Sequence, residues 1–323
     1  MMLQEIKNYR QELMGVATLM IYLGHTVFYG PEYVNYGFMN DVITLGYAGV
    51  DIFLFLSGFG LFFSISKNSR SLFYNHRLHR LLPSIVGIWV LFVVVNIDCF
   101  SFVTLINPAR MMINGGYWYI GFIVIAYLCY PYLYSFSKDK NGWLILVGSI
   151  LFSFVLLTPF LYQGTAVSSN AKVCIVTRIP IFVMGMLYAM GKMDILNNVF
   201  FNMLLLLIGL LSLYPFYVHH DLGGNEIFTT YYSIFFITSP VIYFCSKFLG
   251  FIGGSIVLRK LGGYSLEIYL VQVTIMMQMM AKFHHAGMNT TIIVISCFFI
   301  IVFISIILKY LTDKIFNSFI WSK

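Results

Sequence analysis

GYAGVDIFLFLSGFGL, residues 46–61, is the stretch that decides the fold. It runs on through FFSI to residue 65, and Asp51 is its one ionisable side chain. A helix rises 1.5 Å per residue, so about 20 apolar residues cross the roughly 30 Å hydrocarbon layer of a bilayer. A helix on the surface of a soluble protein would show a polar stripe, and this stretch has none. A barrel strand would alternate apolar and polar residues, and this stretch does not. The reading is a membrane-spanning helix with one buried carboxylate.

Nine further runs of the same kind lie outward from it. The predicted spans are 12–30, 42–66, 82–106, 117–137, 142–161, 173–191, 197–217, 227–249, 262–283 and 290–311. Short linkers of Gly, Pro, Asn and charged residues separate them. The expected fold is all-α, a polytopic membrane protein of about ten helices forming one domain over residues 1–323, with no separate soluble domain. Composition agrees, since 60% of the 323 residues are hydrophobic and 10% are charged. A soluble protein averages about 45–50% and about 25%. This excludes a soluble globular enzyme, a disordered chain and a disulfide-stapled secreted module. No cleavable signal peptide is expected, because the first twelve residues are polar and charged.

With an even span count, both termini share one side. Of the 19 Lys and Arg residues, all but Arg110, Lys172, Arg178 and Lys282 fall on that side. Basic residues concentrate in cytoplasmic loops, which places both termini in the cytoplasm and the protein in the cell inner (cytoplasmic) membrane. The net charge of +7 follows from this topology, and no nucleic-acid partner is expected; membrane lipids are. The five cysteines, Cys99, Cys129, Cys174, Cys245 and Cys297, show no CxxC spacing, so neither a metal nor a redox site is expected. Cys99 and Cys174 both fall toward the outer face, where a disulfide would fit.

Ionisable groups inside spans are costly and mark candidate sites. His25 lies about two-thirds of the way out along the first span. Asp51 enters the second at similar depth. Arg178 lies near the outer end of the sixth and Glu267 near the inner end of the ninth. Each has a plain alternative. His25 can be a packing histidine, and Asp51 can cross-link the first two helices. Arg178 can snorkel to headgroups, and Glu267 can pair with Arg259 or Lys260. The loop from Lys67 to Arg80 is the densest basic stretch, with Arg77 and Arg80 on one face if it is helical. It is either a topology anchor against anionic lipid or a site for a phosphorylated cytosolic ligand, since guanidinium forks suit phosphate oxygens. Pro83 after it fits the first turn of the third helix. His219, His220 and Asp221 form a solvated turn or an acceptor contact.

Six stretches, in order, resemble the integral-membrane acyltransferase-3 family. They are ELMGVATLMIYLGH (12–25), GYAGVDIFLFLSGFGL (46–61), RLHRLLP (77–83), Trp118-Tyr119-Ile120 with Tyr130-Pro131, RIPIFVMGMLYA (178–189) and LGGYSLEIYLVQ (261–272). Two positions depart from the family pattern. Met14 stands where the family has an Arg, and Arg10, one turn earlier, can take its place. Gln272 stands where a second His is common, and an amide cannot shuttle protons as imidazole does.

The resemblance implies an acyltransferase transferring groups other than aminoacyl groups. The implied activity is O-acetylation, with acetyl-CoA or another acyl-CoA as donor substrate, no metal, and a glycan or glycolipid acceptor, as in polysaccharide modification. It implies His25 as the general base, with Asp51 orienting the ring or stabilising an imidazolium. Arg10, Arg77 and Arg80 would bind the donor. Trp118, Tyr119, Arg178, Ser57, Ser265, Glu267 and Tyr269 would face the acceptor or support the site. Arg10 and His25, 15 residues apart, are about 22 Å apart along a helix, with an angular offset of about 60°. Arg10 can therefore hold phosphates at the cytosolic mouth but cannot touch the reacting carbonyl. A transporter or flippase of a lipid-linked sugar is the main rival reading, told apart by its failure to turn over acyl-CoA. A glycan polymerase or ligase is a weaker one, because this chain lacks a large outer loop.

Overall fold

The computed structural model describes residues 2–30, 33–34, 36–96, 117–161, 171–218 and 233–319. Among these every regular element is helical. A short α1 (Met2–Asn8) leads into α2 (Arg10–Tyr29). Then come α3 (Asn40–Thr44), α4 (Ala48–Ile65), α5 (Arg70–Asn96), α6 (Trp118–Ser137) and α7 (Gly142–Leu161). The second half holds α8 (Ala171–Thr177), α9 (Ile179–Ala189), α10 (Val199–Val218), α11 (Ser233–Ile252), α12 (Ile256–Gly263), α13 (Ser265–His285) and α14 (Thr290–Phe319).

Among the described residues six stretches are long and apolar enough to cross a membrane, one of them formed by α8 and α9 together. The described apolar stretches of α7 and α10 cover 142–158 and 199–213. Helices α2 and α13 carry Arg10, Glu12 and His25, and Glu267 and Lys282 respectively. Apolar side chains on α7, α10 and α14, such as Val155, Phe200 and Phe303, are exposed. Outward apolar faces of this kind suit lipid, and the chain is a multi-pass membrane protein.

Three boundaries differ from the sequence expectation. The third long helix begins at Arg70, so Pro83 lies inside it and not in its first turn. The reason is a buried seam at helical spacing, Phe73, Leu81, Ser84 and Ile88, which carries the helix through its charged half. The sixth predicted span is broken at Arg178. Pro180 lacks an N–H and cannot continue the ladder, and the Arg178 guanidinium donates to the Cys174 carbonyl at 3.3 Å. The ninth is preceded by a separate α12. Gly253 and Gly254, with φ of 74° and 90°, reverse the chain there, and the Gly254 N–H closes on the Leu249 carbonyl at 2.8 Å. The predicted span portions 97–106 and 227–232, along with Cys99 and the His219–His220–Asp221 cluster, lie outside the described residues.

Helix α4 is the hub. Every residue from Ala48 to Phe59 is buried. Helices α4 and α9 touch through reciprocal glycines. A Cβ on Gly58 would run into the Phe182 carbonyl, and one on Gly185 would run into the Phe55 carbonyl. The same device joins α2 to α12, at Gly15 against Leu258 and Gly262 against Gln11. Small residues that let backbones meet are what packing in lipid rewards. The Tyr130 hydroxyl donates to the Gly58 carbonyl at 3.0 Å, tying α6 to the same point.

Gly58→Ala and Gly185→Ala should therefore each destabilise the protein by about 1–3 kcal/mol through overpacking. Thermal unfolding in detergent measures this. Gly148→Ala, where an added Cβ meets nothing within 4 Å, should be neutral in the same assay.

Candidate active site

Arg10 opens α2 and lies across α4. Its Nε donates to the Leu56 carbonyl at 3.2 Å. Gly60 forms the floor beneath the guanidinium, since a Cβ there would sit 2.7 to 2.9 Å from Nη2, Cζ and Nε. From α5, Arg77 donates from Nη2 to the Ser64 hydroxyl at 3.0 Å. It lies over the Phe73 and Tyr127 rings at 5.6 and 5.8 Å, and its buried Nε has no hydrogen-bond partner among the described residues. Arg80, one turn on, faces the same cavity of about 150 Å³. Met14, Ser57, Tyr119, Tyr127, Ser265 and Tyr269 also line it. Arg10 thus reaches the space that Met14 borders.

Among the described residues no acidic side chain lines this cavity. Among the described residues, the ion-paired carboxylates are spent elsewhere: Glu5 on Lys247, Glu12 on Arg259, Asp51 on Arg178 and Glu267 on Lys309. Three guanidinium groups therefore converge with no carboxylate paired to any of them. Like charges held together in a partly desolvated space attract an anion with several acceptor oxygens.

The cavity's inner wall is aromatic. Tyr119 meets Tyr269 edge to face at 5.2 Å. Tyr269 packs against His25 at 6.2 Å, and His25 against Tyr29 at 5.0 Å. His25 does not itself line the cavity; the Tyr269 ring stands between. The imidazole Nδ1 is buried and has no hydrogen-bond partner among the described residues. A buried polar atom left so is costly, and a reacting hydroxyl would satisfy it.

Among the described residues no hydrogen bond joins Asp51 to His25, and the Asp51 carboxylate lies 3.5 Å from the Arg178 guanidinium with both side chains buried. Two opposite charges on facing helices in a low-dielectric interior find each other before either finds a neutral ring. Arg178 accordingly does not snorkel to headgroups. It is 3% exposed and stacks over Trp118 at 4.8 Å. Nor does Glu267 pair with Arg259 or Lys260. It accepts from Ser84 at 2.8 Å and from Lys309 at 3.3 Å, clamping α5, α13 and α14, while Arg259 is bound to Glu12 at 2.7 Å. Tyr127, Ser64 and Gly60 were not legible beforehand as parts of the site. The i, i+4 spacing of Gly60 and Ser64 on α4 was the available signal.

A family model described as an acyltransferase domain matches residues 13–310, nearly the whole chain. The chain belongs to the acyltransferase-3 family. No curated protein and no solved structure matches it. In this acyltransferase Arg77, Arg80, both tyrosines and His25 fall within the matched segment, and Arg10 lies just before it. Among the described residues no three His, Cys, Asp or Glu side chains gather as metal ligands.

If the Asp51–Arg178 pair holds the acyltransferase together, Asp51→Ala should cost about 3–5 kcal/mol by stranding a buried cation. Asp51→Leu combined with Arg178→Met should recover most of that. Unfolding midpoints of the single and double variants decide it, and a double variant whose loss is the sum of the two single losses would show that the two residues act independently.

Proposed function

We propose that the protein is an O-acyltransferase of the cytoplasmic membrane, with ten spans and both termini in the cytoplasm. It takes an acyl group, acetyl in the simplest case, from cytosolic acyl-CoA and places it on a hydroxyl of an extracytoplasmic or lipid-linked glycan. The observation that carries this reading is the cluster of Arg10, Arg77 and Arg80 without a paired carboxylate, joined through Tyr119 and Tyr269 to His25.

The three guanidinium groups suit the phosphates of the donor. Ser57, Ser265 and the two tyrosines give its extended arm a polar, narrow path. His25, further along α2, accepts the proton of the acceptor hydroxyl. The hydroxyl oxygen attacks the thioester carbonyl carbon, the C–S bond breaks, and the CoA thiolate leaves, taking the proton from the imidazolium. Tyr269 has to yield for the thioester to reach the ring, which makes it the residue separating donor from base. Asp51 contributes through Arg178, by holding α4 against the α8–α9 joint.

Three outcomes follow for membranes supplied with labelled acetyl-CoA. His25→Ala should abolish transfer with membrane abundance intact, and normal acylation would remove the imidazole from the chemistry. Arg77→Ala with Arg80→Ala should raise the apparent KM for the donor about tenfold or more, the worth of lost charge-assisted hydrogen bonds. Gly60→Ala, which displaces the Arg10 guanidinium, should move the same constant in the same direction.

A further inference from the structure

Trp118 and Arg178 are engaged with one another and with Asp51, so the acceptor needs another way to His25. The end of α2 supplies one. Tyr29 lies one turn beyond His25 and packs on it at 5.0 Å. Helix α2 ends at Tyr29, and just beyond it the Tyr33 and Val34 N–H groups both donate to the Gly30 carbonyl at 2.9 and 2.8 Å, which ties Tyr33 to the end of that helix. Gly30 presses on Met280, where a Cβ would collide with the Met280 side chain, and this contact brings the end of α13 alongside. There Tyr33 faces His284 at 5.3 Å and His285 at 6.4 Å. Phe28, 66% exposed, meets Tyr29 at 5.0 Å. Both imidazoles are exposed.

We infer that Tyr33, His284 and His285 form the acceptor platform, a site for one pyranose unit of the glycan at the end of the bundle opposite the arginines. The inference rests on the transferase reading above and names where its second substrate binds. A sugar ring offers an apolar C–H face and a rim of hydroxyls. The half-buried Tyr33 ring matches the first. The exposed imidazoles, each with a donor and an acceptor nitrogen, match the second. No carboxylate pairs with His284 or His285 among the described residues. Interfacial tyrosines that only anchor a helix present their rings to headgroups. Tyr33 instead turns onto a neighbouring helix, and its N–H is bonded to the end of α2, the helix that carries His25.

The test uses the full-length protein in membranes, with acetyl-CoA as donor and, as acceptor, surface glycan purified from cells lacking the protein. Tyr33→Ala, and His284→Ala with His285→Ala, should raise the apparent KM for glycan about five- to tenfold, the size of a lost ring contact. The apparent KM for acetyl-CoA should hold in the same variants. Tyr33→Phe should keep the wild-type value, because the ring makes the contact. Unchanged glycan KM in both alanine variants, or an equal rise in both constants, overturns the platform alone. A wild-type protein that consumes no acetyl-CoA overturns the transferase reading and the platform with it.

Discussion

Lipid tails are as apolar as leucine, so no hydrophobic force draws one spanning helix onto another. What holds this bundle together is the closeness that glycine permits. Gly58 and Gly185 bring the α4 and α9 backbones into contact, and Gly15 and Gly262 do the same for α2 and α12. At that separation dispersion contacts multiply and short polar side chains reach across. The buried Asp51–Arg178 pair exists because α4 and the α8–α9 joint are held this near. Arg10 can lie on α4 only because residue 60 has no side chain.

The ionisable groups fall into two kinds by what neutralises them. Glu5, Glu12, Asp51 and Glu267 each have a basic partner on another element, and these pairs stitch α1 to α11, α2 to α12, α4 to the α8–α9 joint and α13 to α14. Broken pairs of this kind are expensive, so they specify the packing more than they stabilise it. Arg10, Arg77 and Arg80 are the opposite case. Among the described residues no carboxylate pairs with any of the three.

Helix α2 is the axis along which the proposed chemistry is ordered. Arg10 stands at its start, Met14 borders the cavity, His25 sits past the middle with Tyr29 one turn on, and Tyr33 lies just beyond its end. Helix α13 runs beside it, contributing Ser265 to the cavity, Tyr269 between cavity and imidazole, and His284 beyond. Two substrates entering from opposite ends would meet at one ring without either crossing the bundle.

Hydropathy alone made the class and most helices legible, because a bilayer demands about twenty apolar residues whatever their partners. The helical face shared by Arg77 and Arg80 was legible too, since spacing along one helix is a local property. The start of α5 at Arg70 was not, because charge masked the buried seam through Phe73 and Leu81. The break at Arg178 was only half written, in Pro180. Depth along two spans suggested Asp51 beside His25, but depth says nothing about rotation about a helix axis. Which faces meet is set by where glycines let backbones touch, and that is a property of pairs of helices. So the chain order determined which groups the membrane would bury, and only the packed bundle decided that Asp51 would face Arg178, that Glu267 would face Lys309, and that three arginines would be left sharing one cavity.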